Sequence, residues 1–176
     1  MQEQYQGTPI TTFESTGGGG GGHFPLGEYE GDFIGAENMG KGKFNPDVDR
    51  VRLMFKINKV LQIDTYPDDV AEGGEEDFED SLVGKEYHVY CNYLTGPKAD
   101  LSRYISWMAG SVQVGAMDIA PLLNKPYRIT IGEVVKQKPD GGTVTKVEPT
   151  GIRAIKQQRS RRSNKPVESE DDDELF

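Results

Sequence analysis

Few residues in this chain have the type and spacing that chemistry would need. Gly35-Ala-Glu-Asn-Met-Gly40-Lys41 fits the spacing of a phosphate-cradling loop, G-x-x-x-x-G-K. Gly42 follows where a Ser or Thr would have to hold magnesium, and Asn45-Pro46 opposes the helix that such a loop must open. The stretch reads better as a loop that presents Lys41, Lys43 and Phe44. His23, His88 and Cys91 suggest no Ser-His-Asp or Cys-His arrangement, and a single cysteine rules out an internal disulfide framework. Acid pairs abound between Asp64 and Asp80, but a self-repelling run does not hold two carboxylates in the geometry of proton transfer. The spaced D-x-D-x-D-G pattern of a calcium loop is missing. No enzyme, catalytic residue, metal or cofactor is expected.

Cations and aromatic rings make the better constellation. A protein that holds single-stranded nucleic acid needs cations along a groove to neutralise phosphates, and exposed rings for bases to stack on. Arg52 and Lys56 share a parity with Met54 on one predicted strand, and His88 and Tyr90 share the polar parity of another. Arg128, Lys136, Lys138 and Lys146 lie on the arms of a predicted hairpin, and the first loop adds Lys41, Lys43 and Phe44. Each alone is an ordinary solvated side chain; their coincidence on five elements is the signal.

The elements that must position them follow from periodicity. Residues 1–27 contain six consecutive glycines, Gly17–Gly22, and read as a flexible arm, with His23, Phe24 and Leu26 as candidates to dock on the domain. Tyr29, Phe33 and Ile34, with glycines at 31 and 35, predict a bent first strand, followed by a loop over Glu37–Asp49. Val51–Ile63 alternates, with Val51, Leu53, Phe55, Ile57, Leu61 and Ile63 on the apolar parity and an interruption at Lys59 that marks a bulge or the end of the strand's first half. The acidic segment 64–80 reads as a solvated loop. Lys85–Tyr93 is a third strand, and Lys98–Ala109 the one good helix, with Leu101, Tyr104, Ile105 and Met108 on one face and Gly110 as its stop. Trp107, on that helix with Arg103, reads as core or subunit interface. A short turn is expected over Asp118–Leu123, then a strand at Tyr127–Lys136, a turn at Asp140-Gly141-Gly142, and a fifth strand from Thr143 to Ile155. Three strands, a helix and a two-strand hairpin make the order of the OB-fold, a five-stranded barrel with its helix between strands three and four. The fold class expected is therefore all-β with one helix, residues 28–156, between the arm and a basic then acidic tail at 157–176.

The net charge of −9 does not argue against a nucleic-acid partner, because local runs set it. Nine acids and no base lie in 64–80, and Glu168–Glu174 holds six acids. No stretch approaches the roughly 18 apolar residues of a membrane span, and the first residues have no signal-peptide pattern. A soluble protein with no membrane partner is expected.

A resemblance rests on three stretches: Gly27–Ile63, the helix LSRYISWMAG at Leu101–Gly110, and DIAPLLNKPYRITIGEVVKQKPDGGTVTKVEP at Asp118–Pro149. Their element order and spaced hydrophobics resemble the small OB-fold single-stranded-DNA-binding proteins of tailed bacteriophages, including the Drc-like replication-associated group. That likeness implies sequence-independent binding of single-stranded DNA in phage DNA replication, a homo-oligomer, and a cytoplasmic site, the host's if the chain is phage-encoded. Asp171, Asp172, Asp173, Glu174, Leu175 and Phe176 resemble the acidic tip through which bacterial and phage single-strand-binding proteins recruit replication partners, with Leu175 where the bacterial form has proline. The alternatives are an oligomeric β-barrel assembly module without DNA binding, and an RNA-binding OB-fold protein.

Overall fold

The computed structural model describes residues 23–42 and 45–156. In chain order the elements are strand β1 (Gly27–Lys41), strand β2 (Asp49–Ile63), helix α1 (Glu75–Leu82), strand β3 (Glu86–Asn92), helix α2 (Asp100–Ala109), strand β4 (Pro126–Gln137) and strand β5 (Thr143–Ala154). A 3-10 turn at Ala120–Leu122 precedes β4, and Asp118 accepts the Ala120 amide there at 3.0 Å. All pairings are antiparallel, and the sheet runs β3-β2-β1-β4-β5.

β1 and β2 span 15 residues each, and they bend because their alternation is interrupted. Ile34 and Met39 on β1, and Asn58 and Leu61 on β2, are left out of the pairing between the two strands. The last two bulges flank Lys59, where the parity breaks. Each bulge adds right-handed twist and turns the strand. At Gly31 the strands approach so closely that a Cβ would sit 2.8 Å from the Lys56 carbonyl oxygen, so only glycine fits the bend. The coiled sheet encloses Tyr29, Phe33, Leu53, Phe55, Ile57, Ile129 and Ile152, all essentially inaccessible to solvent.

Helix α2 closes one flank of this core with Leu101, Tyr104, Ile105 and Met108, all buried as the i, i+3, i+4, i+7 spacing requires. Gly110, at φ 70°, ends it by donating its amide to the Ser106 carbonyl at 2.9 Å. Phe24 is buried against the rings of Tyr29 and Tyr87, at 5.5 and 5.4 Å, and Leu26 packs on the same core. The end of the N-terminal segment thus plugs the domain, a burial worth about 1.5–3 kcal/mol for one such ring.

Five expectations need correction. The acidic segment is not simply a loop, since its second half is α1, and the fold has two helices. Glu75, Glu76 and Asp77 occupy the first turn, where the helix dipole favours negative charge. Phe78 packs edge-on to Tyr66 at 6.1 Å, Leu82 is buried, and Tyr66 donates its hydroxyl proton to Glu79. Two apolar residues four apart suffice to anchor a turn that the charge run alone would not form. Second, the first loop is shorter than Glu37–Asp49, because β1 continues to Lys41. Third, Met54 is buried rather than displayed beside Arg52; it lies in register between Gly35, which has no side chain, and His88. Leu61, placed on the apolar parity, lies in a bulge and is only half-buried. Finally, the five strands form an open sheet, and no ladder joins β3 to β5 among the described residues.

Candidate nucleic-acid interface

The sheet coils far enough to bring its two edges together without pairing them. Tyr87–Asn92 of β3 and Lys146–Pro149 of β5 line opposite banks of one groove of about 280 Å³, to which β2 adds Arg50, β4 Lys136 and α2 Asp100. Three cations and two carboxylates therefore share the lining.

On the β3 bank, Tyr90 points outward by the alternation that buries Tyr87, Val89 and Cys91. Tyr90 is 47% exposed, and the Arg50 guanidinium lies over its ring, 5.4 Å from the centroid. Arg52 pairs in register with Tyr90 and is bound to Glu37. Burial opposes the charge of Arg52, but its bonds to Glu37 and Tyr90 outweigh that and raise its pKa. His88 does not present a stacking surface: its side chain is only 3% exposed, with Nε2 2.8 Å from Glu86. The interior neighbour Cys91 is chemically quiet, because burial pushes its thiol up to about 12.

On the β5 bank, Lys136 lies 2.6 Å from Glu148 and 3.1 Å from Asp100. Arg103 on α2 completes the set, 3.3 Å from Glu148 and 2.9 Å from Asp100, and it also covers the rings of Tyr104 and Trp107 at 5.3 and 5.4 Å. Trp107 is thus packed on the core and under Arg103. Lys146 lines the groove, is exposed, and makes no ion pair among the described residues. Lys138 stands exposed near the tip of the β4–β5 hairpin.

The structure thus brings together Tyr90, Lys136 and Lys146, with Arg52 the register partner of Tyr90 on β2. Lys41 is 3.1 Å from Asp49, next in sequence to Arg50. Lys56 is exposed on the outer face of β2, and Arg128 pairs across β1 with Glu30 at 3.9 Å; neither reaches the groove lining. Lys43, Phe44 and the tip Asp171–Phe176 lie outside the described residues.

Sequence reasoning missed Arg50, although it shares the parity of Arg52 and Lys56 and the signal was present. It also missed Asp100 and Glu148 as partners of Lys136 and Arg103. Nothing in sequence links residues 36 or 45 positions apart until the sheet has coiled. Among the described residues no cluster of His, Cys, Asp or Glu could hold a metal ion, and no helix is long and apolar enough to cross a membrane. No family model, curated protein or solved structure matches the chain.

Proposed function

We propose that this protein binds single-stranded DNA without regard to sequence, along the groove between β3 and β5. The observation that carries the reading is Tyr90, half-exposed under Arg50, which has no ion pair among the described residues, at the edge of a groove that also holds Lys146. An exposed ring flanked by free cations is what a base and its phosphate need, and stacking is sequence-tolerant because every base has a π-face. The sheet order β3-β2-β1-β4-β5 is that of a five-stranded OB barrel opened at its β3–β5 seam, and the OB-fold takes oligonucleotides on its β2–β3 face and adjoining loops. The resemblance of the sequence to phage single-strand-binding proteins supports the same reading. It extends it to a role in phage replication, to assembly of several copies, and to recruitment of replication proteins by Asp171–Phe176.

A second reading, a protein-interaction module, has one observation in its favour. Val135 and Val147 are 66% and 51% exposed on the β4–β5 hairpin, an apolar surface with no covering element among the described residues.

Fluorescence anisotropy with labelled oligo-dT and with duplex, across a salt series, separates the two. Single-strand binding predicts tight binding to oligo-dT at low salt, weakening with a log–log slope of about −0.7 per neutralised phosphate. Equal affinity for duplex, or no binding at low salt, overturns it.

A further inference from the structure

Asp100, Lys136, Glu148 and Arg103 form a closed ring of alternating charge that ties α2 to both strands of the β4–β5 hairpin. Its four links measure 3.1, 2.6, 3.3 and 2.9 Å, from Asp100 to Lys136, on to Glu148 and Arg103, and back to Asp100. Glu148 is the innermost member, 12% exposed, against 28% for Lys136, 36% for Asp100 and 39% for Arg103. Burial works against the charge on Lys136, but Glu148 and Asp100 outweigh it and hold its pKa above the ordinary lysine range. Arg103 is shifted the same way, its burial outweighed by Tyr104 and the same two carboxylates.

Three of the four ring members line the groove. Two carboxylate oxygens at 2.6 and 3.1 Å from one ammonium already occupy donor positions that a phosphate would seek. An incoming phosphate would have to displace one carboxylate while facing repulsion from both. Arg50 and Lys146 stand in the same lining with no such partner among the described residues.

We infer that Glu148 is a positioning residue that withholds Lys136 and Arg103 from phosphate, so that the backbone of the strand tracks past Arg50 and Lys146 instead. This rests on the single-strand reading above. By the same contacts the ring fixes the hairpin against α2, which sets where Lys146 stands across from Tyr90. The groove then neutralises fewer phosphates than its cations number, and stacking on Tyr90 carries a larger share of the affinity.

The test is the salt dependence of oligo-dT binding by the full chain. Glu148→Gln steepens the slope by about 0.7 if it releases Lys136 alone and by about 1.4 if it releases Arg103 as well. Lys136→Gln in the wild-type background leaves the slope almost unchanged, whereas Lys146→Gln flattens it by about 0.7. Lys136→Gln added to Glu148→Gln removes the gain, which a purely structural role for Glu148 would not produce. An unchanged or flatter slope in folded Glu148→Gln overturns the inference, as does Lys136→Gln flattening the slope as much as Lys146→Gln. The two lysine variants keep Glu148 in place, so their comparison decides the matter even where Glu148→Gln does not fold. Binding by the wild type with ordinary behaviour of Lys136 leaves the single-strand reading standing and removes only the role of Glu148. No binding by the wild type at low salt ends both.

Discussion

On the β3 bank of the groove, Arg50 lies 5.4 Å over an exposed tyrosine ring and has no carboxylate partner among the described residues. On the β5 bank, Lys136 is clasped by two carboxylates, one of them nearly buried. Both banks look cationic in sequence. The difference lies in what faces each cation across the coil of the sheet. A cation over a ring keeps its charge available, since the ring attracts it without neutralising it. A cation in a closed ring has spent its donors on stability and on holding two elements in register. Counting lysines and arginines therefore overstates the electrostatic grip of the groove.

The largest effect separating the banks is expected at the aromatic ring. Tyr90→Ala removes a stacking platform worth roughly 1–3 kcal/mol per base, a loss of about fivefold to over a hundredfold in affinity for oligo-dT. Tyr90→Phe keeps the π-face and retains most of the binding. Because the side chain is half-exposed, thermal unfolding of both variants should track the wild type within about 0.5 kcal/mol. Loss of binding in Tyr90→Phe as well would show that the hydroxyl bond to Arg52 matters more than the ring.

The next effect falls on the β5 bank, and on stability rather than binding. Glu148→Gln leaves Lys136 and Arg103 each with only Asp100, and urea unfolding should register a loss of about 1–2 kcal/mol. That is less than the 3–5 kcal/mol of a fully buried broken pair, because Lys136 and Arg103 are both partly solvated. A loss as large as the fully buried figure would make the ring a structural keystone, and a loss near zero would make it a surface ornament. Arg50→Gln, on the other bank, should cost no stability beyond its cation–π contact of about 0.5–1 kcal/mol, but flatten the salt slope by about 0.7.

How much of this could be read from the sequence follows the same division. Strand and helix positions were legible where one side of an element is buried, because periods of 2 and 3.6 then appear directly, as in Val51–Ile57 and Leu101–Met108. Tyr90 was legible for the same reason, since its parity opposes the buried Tyr87, Val89 and Cys91. α1 was not, because nine like charges hid the pair Phe78 and Leu82 that anchors it. Neither was the neutralisation of Lys136 by Glu148 and Asp100, which depends on which edges the bulges of β1 and β2 bring face to face. Local pattern determines which way a side chain points; bulges determine what it meets.

The smallest expected effect comes from a pair intermediate between the two banks. Lys41 and Asp49 lie 3.1 Å apart at the end of the β1–β2 ladder, with Lys41 64% exposed and Asp49 31% exposed. A bond from Asn38, then one from Lys41, holds the Asp49 carboxyl below the ordinary aspartate range. A depressed carboxyl stabilises the fold above its unfolded pKa of about 3.9, and that contribution is lost as pH falls through the lower folded value. Asp49→Asn should therefore leave stability near pH 7 little changed while removing a shallow part of the acid limb below about pH 4. Unlike the ring around Glu148, this pair is open to solvent, so moderate salt should erase its effect while leaving the ring's largely intact. If Asp49→Asn also steepens the salt slope of oligo-dT binding, Lys41 belongs with Lys136 among the cations that a neighbouring carboxylate withholds from phosphate. A slope equal to wild type leaves Lys41 with the end of the sheet alone.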